Sequence, residues 1–195
     1  MGSDTLVLGF DTSAAHCAAA LLLGERVLAF RAEDMGRGQA ERLIPLLEEV
    51  LAEGGAIWRD LARIGVGVGP GNFTGIRIAV SAARGLSLAL EVPSVGVSTF
   101  DATALLAVPG HVPAVPAPRE QLYLRPAGAA PRLMPAAEAP EPLAMPPEPG
   151  ALAEAIARVA AAAAPPFTPP APLYIRPADA APARDKPPVI LDDDA

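Results

Sequence analysis

Gly65-Val-Gly-Val-Gly-Pro-Gly-Asn-Phe-Thr-Gly-Ile-Arg-Ile-Ala-Val-Ser-Ala-Ala-Arg-Gly-Leu86 reads as a strand, a glycine-rich turn and a helix. Ile64 to Val68 sets β-branched residues between small ones, the pattern of a buried strand. Gly69-Pro70-Gly71-Asn72 stops it, because glycine admits positive φ and proline fixes φ. Thr74 is placed to cap a helix running from about Gly75 to Leu90. Such a turn offers backbone donors and the positive end of a helix dipole to an anion. It is neither a P-loop, since no Gly-Lys-Ser/Thr follows, nor a dinucleotide fingerprint, since the spacing differs. The physics leaves two readings open, plain structure and a phosphate seat.

Upstream, Thr5 to Phe10, Cys17 to Leu23 and Arg26 to Arg31 read as three strands of a meander. Asp11-Thr12-Ser13 forms the first turn. Gln39 to Glu53 has apolar residues at helical spacing, with Pro45 inside expected to bend it or loosen its first turn, and Gly54-Gly55 closing it. Trp58 to Ala62 is one helical turn. Downstream, Ser94 to Ser98 is a buried strand, and Thr99 to Ala107 a helix capped by Ser98 or Thr99. The order βββ-α-β-α-β-α indicates a mixed sheet with helices packed on it.

Composition shifts at residue 108. Residues 1–107 hold 3 of the 24 prolines and residues 108–195 hold 21, so the chain divides into an N-terminal lobe and a reduced, proline-rich C-terminal lobe. In the second lobe, 112–115 and 121–125 suit short edge strands, 151–164 an alanine-rich helix, and 173–176 an extended segment. The tail 192–195 is expected to be solvated. With 51% hydrophobic but 4% aromatic residues, the core is built from Ala, Val, Leu and Ile. A net charge of −7 argues against non-specific nucleic-acid binding by this chain alone, while leaving room for a local basic patch. The single cysteine, Cys17, excludes a disulfide framework and fits a cytoplasmic setting, as does the lack of a signal-peptide pattern. Apolar stretches are interrupted before about 18 residues, so no membrane span is expected.

Several of these segments resemble one known family. Gly69-Pro-Gly-Asn-Phe-Thr-Gly-Ile-Arg77 is similar to the Gly-Pro-Gly-Ser-Phe-Thr-Gly-x-Arg signature of the TsaB (YeaZ) family. Gly9-Phe-Asp-Thr-Ser13, Gln39-Ala-Glu-Arg-Leu-Ile-Pro45, Pro93-Ser-Val-Gly-Val-Ser-Thr99 and Tyr174-Ile-Arg-Pro-Ala-Asp179 resemble further segments of it, in the same order. The resemblance is nearly continuous over residues 5–107 and patchy beyond.

It implies an α/β fold of the actin-like, sugar-kinase and Hsp70 ATPase type with two lobes. It also implies a non-catalytic subunit, needed to place threonylcarbamoyl on the tRNA adenosine beside the anticodon. Such a subunit pairs with the catalytic, metal-binding paralogue TsaD, is joined by the ATPase TsaE, meets tRNA through the complex, and alone pairs with a second copy. ATP or ADP would bind at an interface with partners, or on this chain through Asp11, Thr12, Ser13, Gly69, Gly71, Asn72 and Thr74. The helices 39–53 and 75–90 would form the partner contact, through Leu43, Leu46, Leu47, Val50, Ile78, Ala82 and Leu86, unless these face the sheet. Arg77 and Arg84 would reach a tRNA phosphate or a partner carboxylate.

The chain departs from the family at Gln39, where a histidine is frequent. It also departs at Pro116-Ala-Pro-Arg119, where Asp-Ala-Arg-Arg is expected, and in its short second lobe.

The residues themselves supply no catalytic set. His16 and His111 lie far apart in sequence and read as packed or exposed side chains rather than metal ligands, and no Ser-His-Asp or Cys-His set stands out. Asp11 serves equally as a turn former or in a nucleotide site. The competing reading, a free-standing actin-like ATPase or kinase, needs a second phosphate turn with an acidic neighbour, which 108–195 does not offer. A peptidase ranks last for want of a site.

Overall fold

The computed structural model describes residues 5–175. Arg176 to Asp179 and the 192–195 tail lie outside the described residues.

Strands β1 (Leu6–Asp11), β2 (His16–Leu23) and β3 (Arg26–Asp34) form the expected antiparallel meander. Helix α1 (Gln39–Glu53) follows, continuous across Pro45, then a 3-10 turn at Trp58–Asp60. Strand β4 (Arg63–Gly67) adds parallel to β1, and β5 (Ser94–Val97) parallel to β4. The sheet order is β3-β2-β1-β4-β5. Between β4 and β5 runs α2 (Phe73–Leu90), and after β5 comes α3 (Thr99–Leu106), capped by Ser98, whose Oγ accepts from Asp101 N.

Strand alternation sends side chains to two cores. Leu6, Leu8, Phe10, Leu21, Ile64 and Val66 face α1 and α2. Val7, Ala18, Ala20, Leu22 and Val97 face the opposite way, toward α4 (Pro149–Ala162) and α3. Thus the chain beyond residue 108 returns a helix to the first sheet. Glycines in the strands make this seat. A Cβ on Gly9 would stand 2.6 Å from Ala153 O and Ala157 N, and one on Gly65 2.8 Å from Ala160 Cβ. Only small residues on both surfaces allow so close an approach, which explains the alanine-rich composition of α4. Arg63 at the start of β4 closes the helix end. Its Nη1 donates to the carbonyls of Ala160, Ala161 and Ala163 at 2.6, 2.9 and 2.8 Å.

The second sheet has order β8-β7-β6-β9, from β6 (Val112–Ala117), β7 (Gln121–Leu124), β8 (Arg132–Pro135) and β9 (Leu143–Ala144). Here the expectation of two edge strands is corrected: β6 and β7 are the central pair. Pro113 and Pro116 are tolerated in β6 because a proline keeps its carbonyl, and Pro113 O accepts from Arg125 N at 3.1 Å. The segment 135–149 that reads as linker carries β9 and a 3-10 turn at Ala136–Glu138.

Helix α2 is 18 residues with a mean hydropathy of 1.2, which by length and composition alone would reach across a membrane. It carries Arg77 and Arg84, and its Gly75, Ile76, Ala79, Val80 and Ala83 are buried against the sheet.

Candidate functional site

Two places collect the residues that the sequence singles out: the cleft between the sheets and the outer face of α1 and α2.

At the cleft, β1 ends on Asp11 and the turn 12–15 packs on the start of α2. Asp11 is fully buried. Its Oδ2 accepts from Ser13 N and Ser13 Oγ, both at 2.9 Å, and lies 2.7 Å from His16 Nε2. Its Oδ1 has no hydrogen-bond partner. His16, read from sequence as packed or exposed and not as part of a set, therefore joins Asp11 and lines the cleft. No signal in the sequence marks this beyond the short spacing across a hairpin turn. Ser13, Asp11 and His16 come together, but not as a hydrolytic triad. Both Ser13 and His16 bond the same carboxylate oxygen, so the imidazole is not placed to take the serine proton.

The glycine turn is filled by the chain itself. Asn72 N donates to Ser13 O at 2.6 Å, and Thr12 Oγ1 donates to Gly75 O at 2.7 Å. A Cβ on Gly71 would lie 2.2 Å from Ser13 O, and one on Gly75 1.8 Å from Thr12 O. The glycines thus admit the Asp-Thr-Ser turn. The cap is corrected too: Asn72 Oδ1 accepts from Gly75 N at 2.9 Å, and α2 starts at Phe73, so Thr74 lies inside the helix and exposed. Of the seven nucleotide-site candidates, Asp11 Oδ2, the Thr12 hydroxyl and the hydroxyl and amide of Ser13 are engaged in internal bonds. Gly69 sits behind Ile76. Ser13, Gly71 and Asn72 still line the cleft.

The cleft has a volume of about 580 Å³. Ser13, His16, Gln39 and Thr99 form its polar wall; Val115, Pro116, Tyr123, Met145 and Pro146 its apolar one. Among the described residues, no Lys or Arg lines it. Gln39, at the position of the frequent family histidine, donates from Nε2 to Ala14 O at 2.8 Å and to His16 O at 3.3 Å, so it braces the turn. Among the described residues, no three His, Cys, Asp or Glu side chains cluster as a metal site. Cys17 is buried, and burial with nearby Glu33 raises its thiol to about 11.

The α1–α2 face is different in kind. Leu43, Leu46, Leu47 and Val50 are 0–1% exposed inside the first core. The alternative reading holds for Leu46, Leu47 and Val50, which pack into this chain's own core, while Leu43, 1% exposed, also lines the floor of the groove between the helices. Ile78, Ala82 and Leu86 are half-buried. Between the two helices runs an open groove of about 490 Å³ with Ala40, Ile44, Phe73, Ile78, Ser81 and Ala82 along it. Ile44 and Phe73 are each 38% exposed and Leu88, further along α2, 83%. Sequence periodicity marks the helices as amphipathic; it does not say which apolar stripe the sheet consumes.

The five-stranded sheet, its helices and the second lobe define an α/β protein of the actin-like, sugar-kinase and Hsp70 type. The protein-family model for TsaD, tRNA N6-adenosine threonylcarbamoyltransferase, matches residues 32–131. The TsaB protein of Escherichia coli is 37% identical over 94 residues, covering 48% of this chain and 40% of that protein. That of Haemophilus influenzae is 33% identical over 106 residues, covering 54% and 44%. The chain spans under half the length of these curated relatives. A solved structure of YeaZ from Pseudomonas aeruginosa superposes with a TM-score of 0.60 at 29% identity, covering 71% of each chain. An uncharacterized protein described as similar to the peptidase YeaZ superposes at 0.67 and 25% identity, over 88% of this chain and all of the other. This chain belongs to the threonylcarbamoyltransferase family of that model and, within it, to TsaB (YeaZ).

Proposed function

We propose that this protein serves the threonylcarbamoylation of tRNA as a non-catalytic subunit that docks on the catalytic TsaD paralogue through its α1–α2 face. The observation that carries the reading is the contrast between its two sites. Among the described residues the cleft has no cationic side chain along its walls, and the glycine turn is closed by internal hydrogen bonds, so the usual means of holding a phosphoryl group are not offered there. The α1–α2 face instead presents an apolar groove with exposed Ile44 and Phe73, the composition of a docking surface. The names of the relatives, proteins of tRNA threonylcarbamoyladenosine biosynthesis, support the process. In this reading the ATPase TsaE and tRNA join through the assembled complex in the cytoplasm, any ATP or ADP binds where the partners meet, and the chain alone pairs with a second copy through the same face.

The test is reconstitution of threonylcarbamoyl transfer to tRNA with the organism's TsaD paralogue, TsaE and a threonylcarbamoyl-adenylate source. Omitting this chain is expected to abolish modification. Ile44→Glu is expected to reduce it by tenfold or more, while His16→Ala leaves it within about twofold. Full activity without the chain would overturn the reading.

A further inference from the structure

Arg77 stands at the rim of the α1–α2 groove with its guanidinium already fixed. Cζ lies 3.8 Å from the centre of the Phe73 ring and 6.0 Å from that of Tyr174. The two rings stack with centroids 4.9 Å apart. Nε donates to Tyr174 Oη at 2.9 Å. The terminal nitrogens Nη1 and Nη2 have no hydrogen-bond or ion-pair partner among the described residues, on a side chain exposed to solvent. An arginine held by stacking and by its inner nitrogen, with its outer edge open, is prepared for a planar two-oxygen acceptor, because little rotamer freedom is left to lose.

The surroundings decide which acceptor. Over Phe73–Leu90, α2 carries two arginines and no acidic residue, in a chain of net charge −7. Arg77 and Arg84 are seven residues apart, two turns or about 10 Å, on the exposed side of the helix. The groove beside Arg77 is floored by Ile44, Ile78 and Ala82, which suit apolar side chains and not a sugar-phosphate backbone, while Arg84 lines a separate hollow with Leu88 and Phe167.

Resting on the partner-subunit reading above, we propose that Arg77 is the specificity-determining residue of this face. Its free edge takes a carboxylate from an amphipathic helix of the partner protein laid in the groove. Tyr174, from the segment after the second sheet, is a positioning residue for Arg77.

The experiment measures binding of the full chain to the TsaD paralogue by titration calorimetry at low and high salt, for wild type, Arg77→Ala, Arg77→Lys, Tyr174→Ala and Arg132→Ala. Circular dichroism melts check that each variant is folded. Arg77→Ala is expected to weaken binding by about 30-fold or more and to flatten its salt dependence. Arg77→Lys is expected to lose about as much, since a lysine cannot present two parallel donors. Tyr174→Ala is expected to lose about fivefold, and Arg132→Ala, on an exposed strand of the second sheet, nothing. Wild-type affinity in Arg77→Ala would overturn the assignment while leaving the partner reading intact. So would intact binding to the paralogue with loss of tRNA retention by the complex, which would assign Arg77 to phosphate. No binding by wild type would overturn the partner reading itself, and the assignment with it.

Discussion

Asp101 shows how a side chain ties the two lobes. Burial pushes its carboxyl up, yet hydrogen bonds from Arg125 and Ser98 outweigh this and hold it below the usual carboxylate range. Arg125 reaches it from the end of β7 while packing over Phe100 at 5.3 Å. A carboxyl lowered in the folded state contributes stability above its unfolded pKa of 3.8 and loses it as pH falls through the folded value. Arg125→Ala is therefore expected to cost about 0.5–1 kcal/mol at pH 7, discounted because the pair is partly exposed, with the difference from wild type shrinking as pH falls below 3.8. Thermal melts at pH 7 and pH 3 check this. Cys17 gives a second residue-scale outcome. With its thiol raised to about 11 and its side chain buried, it is expected to resist a disulfide exchange reagent at pH 8 and to react fully once the chain is unfolded in guanidinium.

The elements are governed by what lies on the far side of each sheet. Gly9 and Gly65 admit α4, so Gly9→Val is expected to cost about 3 kcal/mol by driving β1 and α4 apart, read as a loss in the urea midpoint. The first lobe was legible because its signals are local. The meander follows from alternation at 5–31, α1 from the 3-4 spacing at 43–51 with glycines after it, and the β4–turn–α2 unit from Ile64 to Arg77. What escaped the sequence depends on distant parts of the chain. Nothing in Ala151–Ala162 states that its small face meets Gly9 and Gly65, and nothing in Pro113 or Pro116 states that β8 and β9 flank their hairpin. The same holds for the sites. The Asp-Thr-Ser turn and the glycine turn were each visible, but that one fills the other is a tertiary fact carried by Asn72, Gly71 and Gly75. Leu46 and Leu47 look like any apolar stripe until the sheet beneath them is seen, and Ile44, one turn of thought away in the pattern, is the side chain left outside.

For the molecule as a whole, both faces of the first sheet need cover. The α1–α2 layer covers one face, and α4, supplied after the second sheet, covers the other. A chain ending at residue 148 is expected to be insoluble, since Val7, Ala18, Ala20 and Leu22 would lose α4, and expression with and without the helix checks it. With the sheet satisfied, apolar surface between α1 and α2 stays exposed, and the proposed reading seats the partner there. The most direct measurement is the mass, by size-exclusion chromatography with light scattering, of the wild-type chain mixed with the TsaD paralogue, beside the folded variants Ile44→Glu and Ile78→Glu. The account predicts a 1:1 complex with wild type and separate proteins with either variant. A complex that forms equally well with both variants, or no complex with wild type, would contradict it.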